Sequence, residues 1–304
     1  MKEVKPNSFY AWFLAARPKT LTGAVIPVLL GSALAVSDGQ FRTVPATLCL
    51  LFACGMQIAA NFINDLFDYL KGSDRQDRLG PQRACAEGWI TTRAMKVGIG
   101  VILLLSCLAG LAVPFTVWEQ LPYGGWELVA LGGACVLFAF LYTTLLSYRG
   151  WGDMLVLVFF GFVPVCGTFY VQAYTVNGDA IVLSLVSGLA IDTLLMVNNY
   201  RDREQDAVSG KKTLVVRYGK KFGESMYLGL GIAAALLCLC FVFTGRLTPL
   251  ESVWAPGIYL YMHVRTWHKM VNIGSGKQLN SILGETSRNM LLLGLLLAAV
   301  LSVA

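Results

Sequence analysis

The chain has 304 residues, 56% of them hydrophobic and 14% charged, with a mean hydropathy of +0.62 and a formal net charge of +6. Soluble domains carry about 25% charged residues, so this chain holds more apolar surface than an aqueous core can hide, and collagen-like, disordered and small disulfide-scaffold classes are excluded with the soluble one. At about 20 apolar residues per crossing, the composition fits an all-α polytopic membrane protein, a single transmembrane domain over residues 1–304 with no separate soluble domain.

The chain opens on Lys2, Glu3 and Lys5, and the first long apolar run begins only after Lys19 without a small-residue cleavage site, so no removable signal peptide is expected. Apolar runs between polar or turn-rich breaks then predict nine spans, at 20–37, 44–69, 93–114, 127–146, 153–174, 179–200, 224–244, 250–268 and 286–303. Lysine and arginine accumulate on the cytoplasmic side of membrane proteins. With the N-terminus inside, all 24 Lys and Arg residues except Arg42 and Arg246 fall on cytoplasmic segments. That alternation supports nine spans, a cytoplasmic N-terminus and insertion in the cytoplasmic (inner) membrane. It also ascribes the positive charge to orientation among membrane lipid rather than to nucleic acid. The eight cysteines sit mostly inside apolar runs with no Cys-x-x-Cys pair and read as small buried hydrophobes. His263 and His268 are five apart, off a common helical face, so no metal role is expected of them.

Two long cytoplasmic loops are predicted, residues 70–92 and 201–223, each following a span with an acidic end, and functional chemistry is expected there. In the second span Asn61, Asn64, Asp65 and Asp68 fall within about a 100° arc and form one polar stripe. After the sixth, Asn199, Asp202 and Asp206 share a face with Asp192, two turns deeper. The two segments match as Asn-[Asn/Asp]-x-x-Asp, which sets Asn64 and Asp68 opposite Asn198 and Asp202 and hints at an internal duplication. Any one of these carboxylates could simply pair with Lys71, Arg75, Arg201 or Arg203 at the interface. Two clusters on separate helices ask for more, because an Asp in the membrane costs about 2.5–3.5 kcal/mol at mid-span. Oxygen-only clusters suit hard divalent cations, and magnesium takes one or two carboxylates plus water and substrate phosphate oxygens. The sequence therefore predicts Mg²⁺ and a phosphorylated ligand at the cytoplasmic face. The basic groups that would complement a diphosphate are Arg17 and Lys19 before the first span, Arg75, Arg78 and Arg83 in the first loop, and Arg201, Arg203, Lys211 and Lys212 in the second.

With these residues in place, the chain resembles the UbiA superfamily of intramembrane aromatic prenyltransferases, through Asn64-Asp65-x-x-Asp68, Asp202-x-x-x-Asp206 and nine helices around them. It is most similar to the branch that prenylates 1,4-dihydroxy-2-naphthoate in menaquinone biosynthesis. The marks are Arg17-Pro18-Lys19-Thr20-Leu21, Asn64 through Asp74, Gly80-Pro81 with Arg83, Tyr148-Arg149-Gly150-Trp151-Gly152-Asp153, and Asn198 through Asp202 running on to Gly210-Lys211-Lys212-Thr213-Leu214. Many superfamily members carry a third aspartate four residues after the second, where this chain has Gly72 with Asp74 nearby, and some 4-hydroxybenzoate enzymes carry a lysine four residues after the tyrosine at 142, where it has Leu146. The resemblance implies nine helices around a lipid-accessible cavity, with Asn64, Asp68, Asp202 and Asp206 holding Mg²⁺ and Asp68, Asp202 and Arg83 acting in catalysis. It further implies that Asp65, Lys71, Asp74, Arg83, Lys211 and Lys212 bind the diphosphate of a polyprenyl donor, and that Arg17, Lys19, Tyr148 and Arg149 bind the aromatic acceptor. Prenylation at the carboxylated carbon would release CO₂ and diphosphate and give a demethylmenaquinol. Aromatic residues such as Phe138, Phe140, Tyr142, Phe159 and Phe160 would line the chamber and stabilise a carbocation by their ring faces. Two other readings stay open: an enzyme of this architecture with another acceptor such as 4-hydroxybenzoate, and a cation transporter, for which Asp192 is the one deep carboxylate.

Overall fold

The computed structural model describes residues 4–72 and 78–304, so Lys2, Asp74 and Arg75 lie outside the described residues. A short helix α1 (Phe9–Ala16) precedes the long helices α2 (Pro18–Ser37), α3 (Thr43–Leu70), α4 (Thr92–Gln120), α5 (Trp126–Arg149), α6 (Gly152–Ala173) and α7 (Gly178–Val208). After a one-turn helix α8 (Leu214–Tyr218) come α9 (Lys220–Phe243), α10 (Pro249–Ile273) and α11 (Leu279–Val303). All but α1, α8 and α10 are long and apolar enough to cross a membrane. Helix α10, over the eighth predicted span, has the length but carries Glu251, His263, Arg265, His268 and Lys269. It packs against α9 and α11. His263 is buried between the rings of Tyr227 and Tyr259, with centroids 4.5 and 5.4 Å away, and its Nε2 lies 3.0 Å from the Tyr227 carbonyl oxygen.

The helices are not equally central. In its most apolar stretch α7 is 67% buried and α5 only 6%, so α7 is the pillar of the bundle and α5 stands at its perimeter. The sequence predicts the sixth span to end near residue 200, but the helix continues to Val208. Residues 201–208 contain good helix formers and no glycine or proline. Arg201 is buried there rather than looped out. Asp202 and Asp206 therefore project from a rigid helix, not from the predicted loop.

Charge is segregated between the two ends of the bundle. Arg42 and Arg246, the two basic residues assigned outside, are both engaged at one end. Arg246 joins Asp38 at 2.5 Å and Asp179 at 2.9 Å, tying the turn after α2, the first turn of α7 and the turn after α9. The Arg42 backbone N–H donates to Gln172 Oε1 at 3.1 Å, and its guanidinium lies over the Tyr174 ring. The residues of both acidic helix ends, Asp68 and Asp202 with Asp206, belong to the other end, where the chamber described next has its polar groups.

Candidate active site

Between α2 and α7 lies a chamber of about 550 Å³. Its walls are apolar, with Val28, Phe52, Met56, Leu131, Phe159 and Phe160 among them, and one end is polar, built from Arg17, Thr20, Gln57, Asn61, Asn64, Tyr142 and Asn198. Local sequence places these groups. Ser8 caps α1 and Pro18 starts α2, which leaves Arg17 in the left-handed region (φ 51°) at the elbow between them. Asn61 fixes that elbow by donating to the Ala16 carbonyl and to Thr20 Oγ1, both at 2.9 Å. On α5 a π-helical turn over Tyr142–Leu146 carries Tyr142 to the chamber wall. Phe138, Phe159 and Phe160 also line the chamber as predicted, whereas Phe140 packs into the separate core between α3 and α4.

The acidic residues fall into distinct roles. Asp68 accepts from Arg83 Nη2 at 2.9 Å, and both residues are buried. Asp65, one helical step away, is turned toward the first loop and accepts from the backbone N–H groups of Ala84 and Cys85 at 2.9 Å each. It thereby folds residues 83–85 back onto α3 and delivers Arg83 to Asp68. Asn64 accepts from the Thr143 hydroxyl. Asp202 is held in bidentate fashion by Arg201, with Nε and Nη2 at 2.7 and 2.6 Å. Asp206 lies 3.7 Å from Lys211. Asp153 and Asp192 are buried as well, each with one carboxylate oxygen that has no hydrogen-bond partner among the described residues.

The two acidic ends converge, and Lys211 reports it. Burial works against its charge, yet Asp206, Asp68, Tyr148 and Asp202 together outweigh burial and hold the ammonium above the usual lysine range. One cation thus stands in the joint field of carboxylates from α3 and α7. Tyr148 is the platform between the two loops. Lys71 Nζ lies 4.3 Å from its ring centroid and Lys211 Nζ 5.3 Å. Lys71 also donates to the carbonyls of Thr143 and Thr144 at 3.4 and 3.2 Å, within the π-helical turn. Lys19, Arg149 and Lys212 are exposed at the rim. The Lys212 backbone N–H donates to the Tyr148 carbonyl at 2.9 Å and Arg217 to the Arg149 carbonyl at 2.6 Å, pinning the second loop to the turn after α5.

Asn64, Asp68, Asp202 and Asp206 offer only hard oxygen donors. Among the described residues no three acidic, histidine or cysteine side chains form a ready-made metal cage. That donor set fits Mg²⁺, which dehydrates reluctantly and completes its octahedron with water and substrate phosphate rather than with protein alone. Residues given no role from sequence also build the site: Asp153 at the start of α6, quoted there only as the end of a motif, Thr143 on the π-helical turn, and Asn280 at the start of α11, which accepts from Arg201 and donates to the Leu79 carbonyl. No signal in the sequence marks Asn280, since it belongs to no cluster; Asp153 could have been found as an acidic residue at the head of an apolar span.

The model of the UbiA prenyltransferase family matches residues 24–275. The chain is 37% identical over 258 residues to the 1,4-dihydroxy-2-naphthoate octaprenyltransferase of Escherichia coli, covering 84% of this chain and 82% of that one. It is 32% identical over 298 residues to the protein of the same name in Mycobacterium tuberculosis, covering 97% and 98%. The solved structure of a UbiA homologue from Archaeoglobus fulgidus bound to GPP and Mg²⁺ superposes with a TM-score of 0.62 over 95% of this chain and 99% of that one, at 16% identity, which speaks for the fold alone.

Proposed function

The chain belongs to the UbiA prenyltransferase family, and on that premise we propose that it transfers a polyprenyl group from polyprenyl diphosphate to 1,4-dihydroxy-2-naphthoate, with loss of CO₂ and diphosphate, to give a demethylmenaquinol. The full-length likeness to naphthoate octaprenyltransferases supports the acceptor. The single observation that carries the site is that the Tyr148 ring meets both Lys71, at the end of α3, and Lys211, which is paired with Asp206 of α7, so that the acidic ends of the two helices come together beside an apolar chamber.

In this reading the donor lies with its diphosphate at the acidic end and its tail in the chamber. Asn64, Asp68, Asp202 and Asp206 would hold Mg²⁺, which supplies Lewis-acid stabilisation of the leaving diphosphate. Arg83, Lys71 and Lys211 give the diphosphate oxygens cationic partners without a separate counter-ion. Asp65 serves that step indirectly, because its hold on residues 84 and 85 fixes Arg83. As the allylic C–O bond lengthens, the rings of Tyr142, Phe138 and Phe159 at the chamber wall face the developing positive charge. The apolar walls keep water from competing for that carbon. Arg17 and Tyr148, at the polar end and the loop junction, orient the acceptor; Lys19 and Arg149 contribute from the exposed rim. The positive-charge pattern supports assigning this end to the cytoplasmic side of the inner membrane, with residues 70–92 and, beyond the helical end of α7 at Val208, residues 209–223 as the active-site loops.

The test supplies purified protein with Mg²⁺, a labelled polyprenyl diphosphate and either dihydroxynaphthoate or 4-hydroxybenzoate. Prenylated, decarboxylated naphthol is the expected product; prenylation of hydroxybenzoate alone would overturn the acceptor.

A further inference from the structure

Asn280 lies outside every motif that carries the family resemblance, yet its side-chain amide joins three segments far apart in sequence. Its Oδ1 accepts from Arg201 Nη1 at 2.9 Å. Its Nδ2 donates to the Leu79 carbonyl, in the returning limb of the first loop, at 2.8 Å. Arg201 is 3% exposed and spends its other two nitrogens on Asp202, at 2.7 and 2.6 Å. One residue along, Gly80 leaves the room this arrangement needs: a Cβ there would stand 2.9 Å from Arg201 Nη2. The Gln205 side chain reaches the Leu79 backbone N–H from the same helix at 3.5 Å.

We propose that Asn280 is a positioning residue, which aims the Asp202 carboxylate through Arg201 and latches the first loop to the end of α7. A guanidinium that donates through two nitrogens to one carboxylate has a single plane available, and a third bond from Nη1 fixes that plane. Only a side chain that accepts on one atom and donates on the next can serve Arg201 and a carbonyl at once, and the carboxamide does so. Aspartate at 280 would keep the acceptor for Arg201 but set a carboxylate oxygen against the Leu79 carbonyl, and would compete with Asp202 for the guanidinium. Leucine would remove both bonds.

This inference rests on the reading of Asp202 as a metal ligand, and the experiment separates the two. Mn²⁺ binding in the presence of inorganic pyrophosphate is followed by electron paramagnetic resonance in detergent for the wild type, Asp202→Asn, Asn280→Asp, Asn280→Leu, Arg201→Gln and the Asn280→Leu/Arg201→Gln double variant, alongside thermal unfolding. Both Asn280 variants are expected to weaken Mn²⁺ binding at least about fivefold and to lower kcat more than KM for the prenyl donor. The Mn²⁺ affinity lost in the double variant should fall well short of the product of the two single losses, since residues that act through one another are not additive. Mn²⁺ affinity and kcat within twofold of wild type in both Asn280 variants, with Asp202→Asn impaired, would overturn the positioning role alone. Full additivity in the double variant would do the same. Unimpaired Mn²⁺ binding in Asp202→Asn would instead strike the metal-ligand reading. Should Asn280→Leu unfold, Asn280→Asp, which preserves size and polarity, decides the matter.

Discussion

Arg83 Nη2 stands 2.9 Å from Asp68 Oδ2, and the two side chains are only 8% and 10% exposed. Asp68 lies in the last turn of α3 and Arg83 sits fifteen residues on, so this pair ties residue 83 back to the end of that helix. Breaking a buried pair by removing one partner costs about 3–5 kcal/mol, because the other charge is left uncompensated. Arg83→Ala is therefore expected to lower stability by about 3 kcal/mol, measured by thermal unfolding in detergent, and to abolish turnover. Asp68→Asn and Asp202→Asn keep volume and polarity. Each should leave the protein inserted in the membrane while cutting kcat by about 10² or more, the scale of losing a key electrostatic group. Near-normal rates in either would contradict the assigned roles.

The Tyr148 ring, with Lys71 on one loop and Lys211 on the other, separates contributions of the ring from those of the hydroxyl. A cation–π contact is worth about 0.5–2 kcal/mol depending on desolvation. Tyr148→Phe keeps the ring and is expected to keep the KM for the prenyl donor within about twofold. Tyr148→Leu removes the ring from beside both ammonium groups and should raise that KM by about 5- to 30-fold, corresponding to about 1–2 kcal/mol. Steady-state kinetics with the donor varied at saturating acceptor would show it; equal effects from both substitutions would mean the hydroxyl, not the ring, matters.

No three acidic, histidine or cysteine side chains among the described residues make a complete metal cage, and this has a thermodynamic consequence. If substrate phosphate completes the coordination sphere, metal and diphosphate must tighten one another by the same factor. Chelation should abolish activity reversibly. Calorimetry should give Mg²⁺ binding at least about tenfold tighter with inorganic pyrophosphate present, a coupling of about 1.4 kcal/mol. Equal affinity with and without pyrophosphate would argue for a protein-only site.

At the other end, Arg246 bridges Asp38 and Asp179 with side chains 19%, 22% and 9% exposed. The clamp is remote from the chamber's polar end and joins three connections. Arg246→Ala is expected to lower stability by about 1–3 kcal/mol, the scale of charged hydrogen bonds, and to leave kcat and KM unchanged. A loss of activity at constant stability would give this end a role that its geometry does not suggest.

The parts legible in sequence were those written by composition and local spacing. Hydropathy located every long helix, though it stopped short of the end of α7 and of the start of α11, and the polar stripe of Asn61, Asn64, Asp65 and Asp68 follows from helical geometry alone. Spacing could not assign tasks within the stripe. Asp65 and Asp68 look equivalent on paper, but Asp65 faces the loop backbone and Asp68 faces Arg83. The extension of α7 to Val208 was hidden because charged residues end a hydropathy window without ending a helix; burial of Arg201 among Asp202 and Asn280 sustains it. Phe138 and Phe140 likewise differ by two residues and face different cores, which shows how little an aromatic run says before the helix phase is known.

The chamber itself makes the last prediction. Gly132 and Gly133 on α5 and Gly167 on α6 line it, and a Cβ added at any of them would meet nothing within 4 Å. These positions are open wall, so larger side chains there should fold and intrude on the cavity rather than clash with the bundle. A cavity of about 550 Å³ suits a ligand of ordinary drug size, so the far units of an octaprenyl donor, the kind for which the curated relatives are named, would have to run along or past this wall. Gly167→Leu is therefore expected to lower kcat/KM about tenfold, or 1.4 kcal/mol, with an octaprenyl donor, and less than about twofold with a two-unit donor that does not reach it. Competition between the two donors in one reaction, read from product chain length, measures the ratio directly. An equal loss with both would mean that the leucine disturbs the reacting end, and the tail would then have to leave the chamber by another wall.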